Sequence, residues 1–452
     1  MRISDAFFKP FCTLTLGERI VIEGSVELLD HFSFILALVP FYVLPYLCLV
    51  KSGWNVVDVL LVAWCVSELL FRVYVDLRVM VGSRYRAVPA KQGKELVEMA
   101  REMFSQMDDA MQFKHWFSKS HCLSKESLGF LMKRVFFEKY ETELTKSEVL
   151  HSKEILDLIL PRCHLKHAPF SKQESLWQSV NPVQYKVRSV VVYGVMGAIR
   201  TMGAINLYNL GFQWNSLPTG LGYWIRQRES SQPPILYFHG IGFGPTQMLP
   251  HIRSLHKTHP HRTFIIFYLP QIAYSPYSPV ATEDDVIRAI DIVFRDNDLK
   301  KVSVVGHSFG TLVSMWLAKA RPEYLAQLTL IDPVCFMAWN ASLFNRACHS
   351  TPSTMLHHTI RRIISRDHNF ALTISRYMYW PTSFHICNTF PCPTNIYLAK
   401  NDWVIDAPAT YAYLMQRKCS LSQTNLNIHL NDIDHLQFMF TPKLLRQINC
   451  SS

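Results

Sequence analysis

The chain has 452 residues, 49% of them hydrophobic, enough for one large domain plus additional structure around a sizeable core. Its formal net charge of +11 is dispersed rather than blocked, and no zinc-finger or RNA-binding signature accompanies it. That balance argues against a nucleic-acid partner and for anionic lipid headgroups. Eleven cysteines, an odd count without a C-x-x-C pair, argue against a disulfide framework or a structural zinc module and for reduced thiols in a cytosol-facing protein.

In chain order, the first 30 residues carry Asp5, Glu18, Glu23, Glu27 and Asp30 and lack a signal-peptide layout. Phe32 to Val50 then holds no charged residue. As a helix it would measure about 28 Å, close to the roughly 30 Å hydrocarbon core of a bilayer. Pro40 and Pro45 would kink it, which membrane helices tolerate. After the break Lys51 to Trp54, the stretch Asn55 to Val75 opens on an N-cap-like Asn55 with Asp58 three residues on. Glu68 and Arg72 stand four apart and are expected to pair on one helix face. The two apolar segments read as a membrane hairpin within residues 1–80. Arg78, Arg84, Arg86, Lys91 and Lys94 follow it and place the remainder on the cytosolic side.

Residues 81–185 form a helical linker region, with charged and apolar positions alternating at helical spacing between 93 and 160. Val190 to Ile199 is apolar but bounded by Arg188 and Arg200, and reads as too short to span a bilayer.

From about residue 186 the chain alternates strand-like and helix-like segments. Pro234 to Phe238 reads as a buried strand running into His239-Gly240-Ile241-Gly242-Phe243-Gly244, a glycine-rich turn with backbone N–H groups free to face a cavity. The loop Leu269 to Pro279 follows the fourth strand and is expected to border the pocket. Val302 to Val305 leads directly into Gly306-His307-Ser308-Phe309-Gly310 and then a helical stretch from Thr311. This is G-x-S-x-G in the strand–turn–helix setting its mechanics require, with the serine on a strained turn and glycines letting strand and helix approach. Phe336 to about Phe384 departs from the alternation as an aromatic and basic insertion, whose aromatics suit ordinary packing, an apolar pocket or a membrane-facing lid. Asn395 to Ala399 and Asn425 to Leu430 are the last strands, the first followed by Asp402 and a helix-capping Asp406, the second by Asp434-His435-Leu436 opening the final helix. His429 reads as an ordinary strand residue.

A serine hydroxyl is a poor nucleophile near neutrality and needs a base; an imidazole can take its proton while a carboxylate fixes the imidazole's tautomer. Ser308, His435 and Asp402 would supply that relay from the ends of three strands. Asp332, at the end of the strand after the nucleophile helix, is the alternative acid. The amides of Ile241 and Phe309 are the candidate oxyanion hole.

With nucleophile, acid and base in this order, residues from about 219 to 447 resemble the α/β-hydrolase superfamily, over about half the chain. The resemblance implies a mostly parallel central sheet and a helical cap insertion at about 336–385 within a catalytic domain spanning 186–452, to which the N-terminal helical membrane anchor read from the apolar segments is attached. Some lipases of this fold carry their acid where Asp332 stands, but most members carry it where Asp402 does. A serine nucleophile sets the chain apart from the family's epoxide hydrolases and haloalkane dehalogenases, which use aspartate. The implied activity is hydrolysis of carboxylic esters through an acyl-enzyme, without cofactor or metal. The anchor and the aromatic cap point to lipid esters and to an internal membrane such as endoplasmic reticulum or lipid droplet. Acyl transfer from the same acyl-enzyme, and a non-catalytic membrane scaffold, are the alternatives.

Overall fold

The computed structural model describes residues 53–85, 92–105, 124–139, 141–163, 182–337, 366–383, 390–420 and 424–450, with a few positions between them and in 36–47. Its centre is an eight-stranded sheet: β1 (Gln213–Ser216), β2 (Gly222–Arg226), β3 (Ile235–Phe238), β4 (Phe264–Tyr268), β5 (Val302–His307), β6 (Leu325–Ile331), β7 (Thr394–Ala399) and β8 (Leu426–Asn431), in the order β1-β2-β4-β3-β5-β6-β7-β8. The β1–β2 and β2–β4 pairs are antiparallel. From β4 to β8 every pair is parallel.

Strand residues alternate between two apolar layers with the period of two that a pleated strand imposes. Leu236, Phe238, Ile265, Phe267 and Val304 face one core, whereas Ile235, Tyr237, Phe264, Ile266 and Val305 face the other. A sheet buried on both faces explains why β3 reads as an unbroken apolar run and why β5 is apolar from Val302 to Val305 except at Ser303. On the first face, Val286, Ile290 and Val293 of helix Glu283–Asp296 pack beside Leu312, Val313 and Leu317 of Phe309–Ala320. On the second, Ile252 and Leu255 of Leu249–Thr258 meet Leu444 and Ile448 of Pro442–Cys450.

The α-helices that precede the sheet in the chain include Lys94–Ser105, Lys125–Phe137 and Lys146–Ile159, in the region expected to be helical, and two longer accessory helices, αA (Val56–Gly82) and αB (Val190–Asn209). αA opens with the expected capping box, Asn55 and Asp58 exchanging side-chain bonds with each other's backbone N–H. The expected Glu68–Arg72 pair does not form. Glu68 instead accepts from the Ser189 hydroxyl, the Val190 N–H (3.0 Å) and the Trp64 indole (3.0 Å), because the start of αB offers its free N–H groups at that point. Arg72 turns to Asp76, 3.9 Å away. Any 18-residue window of αA holds Glu68 and Arg72 together with Asp58 or Asp76.

αB corrects a second expectation. It runs ten residues past Ile199, making a 20-residue helix long and apolar enough to cross a bilayer by length and composition. Arg200 does not end it, because its guanidinium donates to the Ala273 carbonyl (3.1 Å) and to that of Tyr274. Most of the apolar segment Phe32 to Val50 lies outside the described residues, as does most of the insertion between β6 and β7. Within the described part of that insertion, the Tyr379 hydroxyl donates to Phe136 O (2.8 Å) and the Trp380 indole to Ile374 O (2.9 Å), so these two aromatics serve packing.

Candidate active site

β5 delivers Ser308 to the carboxyl edge of the sheet. The serine sits at φ 51°, ψ −119°, a region that side-chain-bearing residues rarely occupy, and caps the helix Phe309–Ala320. The turn closes only because its flanks are glycine. A Cβ on Gly306 would lie 2.3 Å from the Ser314 hydroxyl, and one on Gly310 2.2 Å from the Phe238 carbonyl. The Ser308 N–H bonds to Ile331 O (2.9 Å) and its carbonyl accepts from Thr311, which holds the strained turn against β6.

Ser308, His435 and Asp402 meet here, across 127 and 33 residues of sequence. Ser308 Oγ lies 3.2 Å from His435 Nε2, and His435 Nδ1 lies 2.7 Å from Asp402 Oδ2. The other Asp402 oxygen accepts the N–H groups of Val404 (2.7 Å) and Ile405 (3.2 Å), which fixes the carboxylate's plane. A carboxylate only accepts, so the neutral ring carries its proton on Nδ1 and leaves Nε2 free to take one from the serine. All three residues are buried, Ser308 retaining 7% exposure. Burial by itself would lower the His435 pKa; the charge and hydrogen bond of Asp402, with the charges of Asp332 and Asp434, outweigh it and bring it up to about 9.

Asp332 is close but holds a different place. Its Oδ2 accepts the Leu436 N–H at 3.0 Å and lies 3.8 Å from His435 Nδ1 and 3.6 Å from His307 Nε2. Burial would raise its pKa, but His307, His435 and the Leu436 N–H together bring it below the usual aspartate value. His307, Asp332 and His435 offer three ligand atoms within 4.8 Å of one another. Both His435 nitrogens are already engaged with Asp402 and Ser308, so His307 and Asp332 lie behind that hydrogen-bonded series. His435 stands on a turn ahead of Gln437–Phe440, one short helix earlier than expected.

The glycine-rich loop after β3 comes up against the serine. A Cβ on Gly240 would lie 3.0 Å from Ser308 Cβ. Among the described residues no acceptor takes the Ile241 N–H, and Phe309 begins its helix, where the N–H has no intrahelical partner. The Gly240 carbonyl is held by His239 Nδ1 (2.8 Å) and Gln247 Nε2 (3.3 Å). In a trans peptide the N–H points opposite the carbonyl, so these bonds also orient the Ile241 N–H. His239 Nε2 accepts from Leu269 N–H (3.1 Å), which places the ring proton on Nδ1; burial lowers its pKa to about 4, keeping it neutral.

Sequence reasoning passed over Gln247, the role of His239 as a brace, and Trp403, whose ring lies 5.4 Å from that of His435. Only the His-Gly pair at 239–240 carried a signal. Asp406 caps its helix through the Ala409 N–H (3.2 Å), and His429 lies in β8, stacked on Tyr397, both as expected. A groove of about 420 Å³ lies beside the loop, lined by Arg200, Trp214, Trp224, Phe243 and Tyr268, and touches none of Ser308, Asp402 and His435.

A family model for the alpha/beta hydrolase fold matches residues 233–357. Lipase LipV of Mycobacterium tuberculosis is 32% identical over 111 residues, which is 24% of this chain and 40% of that protein, so the chain spans less than half of that relative's length. Among solved structures, carboxylesterase CesB from Bacillus subtilis is 13% identical, with a TM-score of 0.42 over 56% of this chain and 95% of its own. A thermophilic esterase from Thermogutta terrifontis is 17% identical, with a TM-score of 0.37 over 51% of this chain and 94% of its own. The matched segment carries both the glycine-rich loop and the serine turn, on a sheet that is parallel from β4 to β8, so the chain has the α/β-hydrolase fold and is similar to that superfamily over this segment.

Proposed function

We propose that the protein is a serine hydrolase of carboxylic esters, acting on lipid esters at a membrane. The reading is carried by one observation: Ser308 Oγ, His435 and Asp402 lie in hydrogen-bonded series at 3.2 and 2.7 Å. Ser308 Oγ attacks the ester carbonyl while His435 Nε2 takes its proton. The charge on the carbonyl oxygen is received by the Ile241 and Phe309 N–H groups. The ester C–O bond then breaks, and the leaving alcohol takes the proton back from His435. Water, deprotonated by the same imidazole, attacks the acyl-enzyme and frees the acid and Ser308. Asp402 holds the ring and balances its positive form; Asp332 anchors the following residue, Leu436, rather than the ring.

The lipid assignment is supported by the outer faces of the accessory helices. Val195, Met202, Ile205 and Tyr208 of αB are 54–71% exposed, and Val59, Leu70, Val73 and Leu77 of αA 51–65%. We place residues 1–80 as the membrane-associating region, 81–185 as a helical accessory region and 186–452 as the catalytic domain, facing the cytosol at an internal membrane such as endoplasmic reticulum or lipid droplet. The name of the Mycobacterium relative, a lipase, agrees with this substrate class.

Labelling with a fluorophosphonate probe tests the reading. The wild-type protein is expected to label and Ser308→Ala to remain folded and unlabelled; equal labelling of both would remove Ser308 from the chemistry.

A further inference from the structure

The loop that carries the Ile241 amide leans on the turn after β4. Gly242 donates its N–H to the Ile272 carbonyl at 3.0 Å, a contact that sets the loop's height above the sheet. Two residues on, Tyr274 is buried with φ at 55°, in the left-handed region that a bulky side chain avoids. Such a conformation persists only where its surroundings over-determine it, and such residues gather at active sites. Here the restraints come from outside the sheet. Arg200 of αB donates through Nη1 to the carbonyls of Ala273 and Tyr274, the two that directly follow Ile272. Beyond them, the Tyr74 hydroxyl of αA donates to Pro276 O (3.1 Å), Arg78 to Ser278 O, and Asn369 Nδ2 to Ser275 O (2.7 Å).

Arg200 is also the only charged residue in the 20 residues of αB. A cation in the middle of an otherwise apolar helix is costly beside a membrane, and one found there has a partner and a task. Its partners are peptide carbonyls of a strained turn, not a carboxylate, and αB has other contacts for fastening itself to the domain. Gly203 meets Thr246 closely, and Leu207 lies in the core beneath the sheet.

We propose that Arg200 is a positioning residue for the oxyanion hole. By holding the Ala273 and Tyr274 carbonyls it keeps the Ile272 carbonyl in place for Gly242, and so keeps the Ile241 N–H aimed at the reacting oxygen. The proposal rests on the ester-hydrolase reading and adds a residue that reaches the site from an accessory helix. Donors displaced by about an ångström lose most of their worth to the transition state while leaving ground-state binding alone.

The test uses the full-length protein, a soluble short-chain ester, and a trifluoromethyl ketone, which adds to the serine and places an oxyanion in the hole. Arg200→Met preserves the length and apolar character of the helix. It is expected to lower kcat about 10- to 100-fold with KM within about twofold, and to weaken the ketone in proportion to kcat/KM. Arg200→Lys, a single ammonium in place of the fork, is expected between Met and wild type. Ketone affinity and kcat within about twofold of wild type in these variants would overturn the proposal. So would losses confined to KM or to thermal stability. Should Arg200→Met fail to fold, Arg200→Lys decides by the same criteria. A wild-type protein that neither labels with fluorophosphonate nor hydrolyses the ester would overturn the ester-hydrolase reading itself, and this proposal with it.

Discussion

The carboxyl edge of the sheet and the two accessory helices are built under opposite constraints. At the sheet edge Ser308, His435, Asp402 and Asp332 are buried and hydrogen-bonded, and the backbone is so tight that a single methyl on Gly306 or Gly310 would collide with a neighbour. On αA and αB the inward faces carry polar bonds to distant segments, whereas the outward faces leave Leu70, Val73, Met202 and Tyr208 to the surroundings. The sheet edge is closed by side chains of the chain itself, whereas among the described residues αA and αB are covered on their inner faces only, which under the proposed function leaves their outer faces to a membrane.

The sharpest way to break the comparison is at the two aspartates. If the sheet edge is organised around a single relay, Asp402→Asn costs about 10⁴-fold in kcat on a short-chain ester through loss of the correct tautomer. Asp332→Asn, which still offers an oxygen to Leu436 N–H, costs about tenfold or less. Equal losses would mean that both carboxylates serve His435. A dominant loss in Asp332→Asn would move the acid to β6.

Stability measurements sharpen the contrast between inner and outer faces. Ile266→Ala, in the middle of β4 and fully buried, is expected to lower unfolding free energy by about 2–5 kcal/mol in denaturant titration. Ile205→Ala, 54% exposed on αB, is expected to change it by less than about 0.5 kcal/mol. Similar costs at both sites would show that the outer face of αB is covered within the protein.

How much of this was legible in the sequence follows the same division. β3 stood out because a doubly buried strand writes an uninterrupted apolar run, β5 and β7 because their centres are apolar, β8 because apolar and polar residues alternate along it, and Ser308 because its turn requires glycines at fixed positions. His435 and Asp402 could be ordered along the chain, but only the fold could show that Asp402 is 2.7 Å from Nδ1 and Asp332 3.8 Å. The accessory helices misled for a physical reason. The pairing of Glu68 with Arg72 is a local expectation, and the end of αB at Arg200 rests on charge alone. In the folded chain Glu68 bonds to Ser189 and Val190, and Arg200 to Ala273 and Tyr274, partners that no local spacing announces.

A pH profile probes the sheet edge more gently. The His435 pKa, brought up to about 9 by Asp402, Asp332 and Asp434 against the opposing effect of burial, has two consequences of opposite sign. The protonated ring stabilises the folded state fully below the ordinary histidine value near 6.5, and this contribution is lost as pH rises through about 9. Only the neutral ring can accept the serine proton, so kcat/KM should climb across the same interval. Asp434→Asn removes one of the raising charges without touching the imidazole's hydrogen bonds, and is expected to move the acid limb of kcat/KM to lower pH. An unmoved limb would mean that Asp434 is screened from the ring.

The smallest structural perturbation with a readable effect lies on the outer face of αB. Met202→Gln with Ile205→Gln exchanges two exposed apolar side chains for polar ones of similar size, so the folded state should hardly register it. Hydrolysis of a soluble short-chain ester should also be unchanged, because Arg200 and its carbonyl partners remain. Binding to vesicles is where the loss should fall, since each apolar side chain withdrawn from the lipid contact forfeits about 1.5–3 kcal/mol when its burial there is complete. Reduced co-flotation with anionic vesicles at constant thermal stability would establish the outer half of αB as a lipid contact. Unchanged flotation would assign membrane binding to other segments and leave αB with its inward contacts alone, those of Arg200 to the Ala273 and Tyr274 carbonyls.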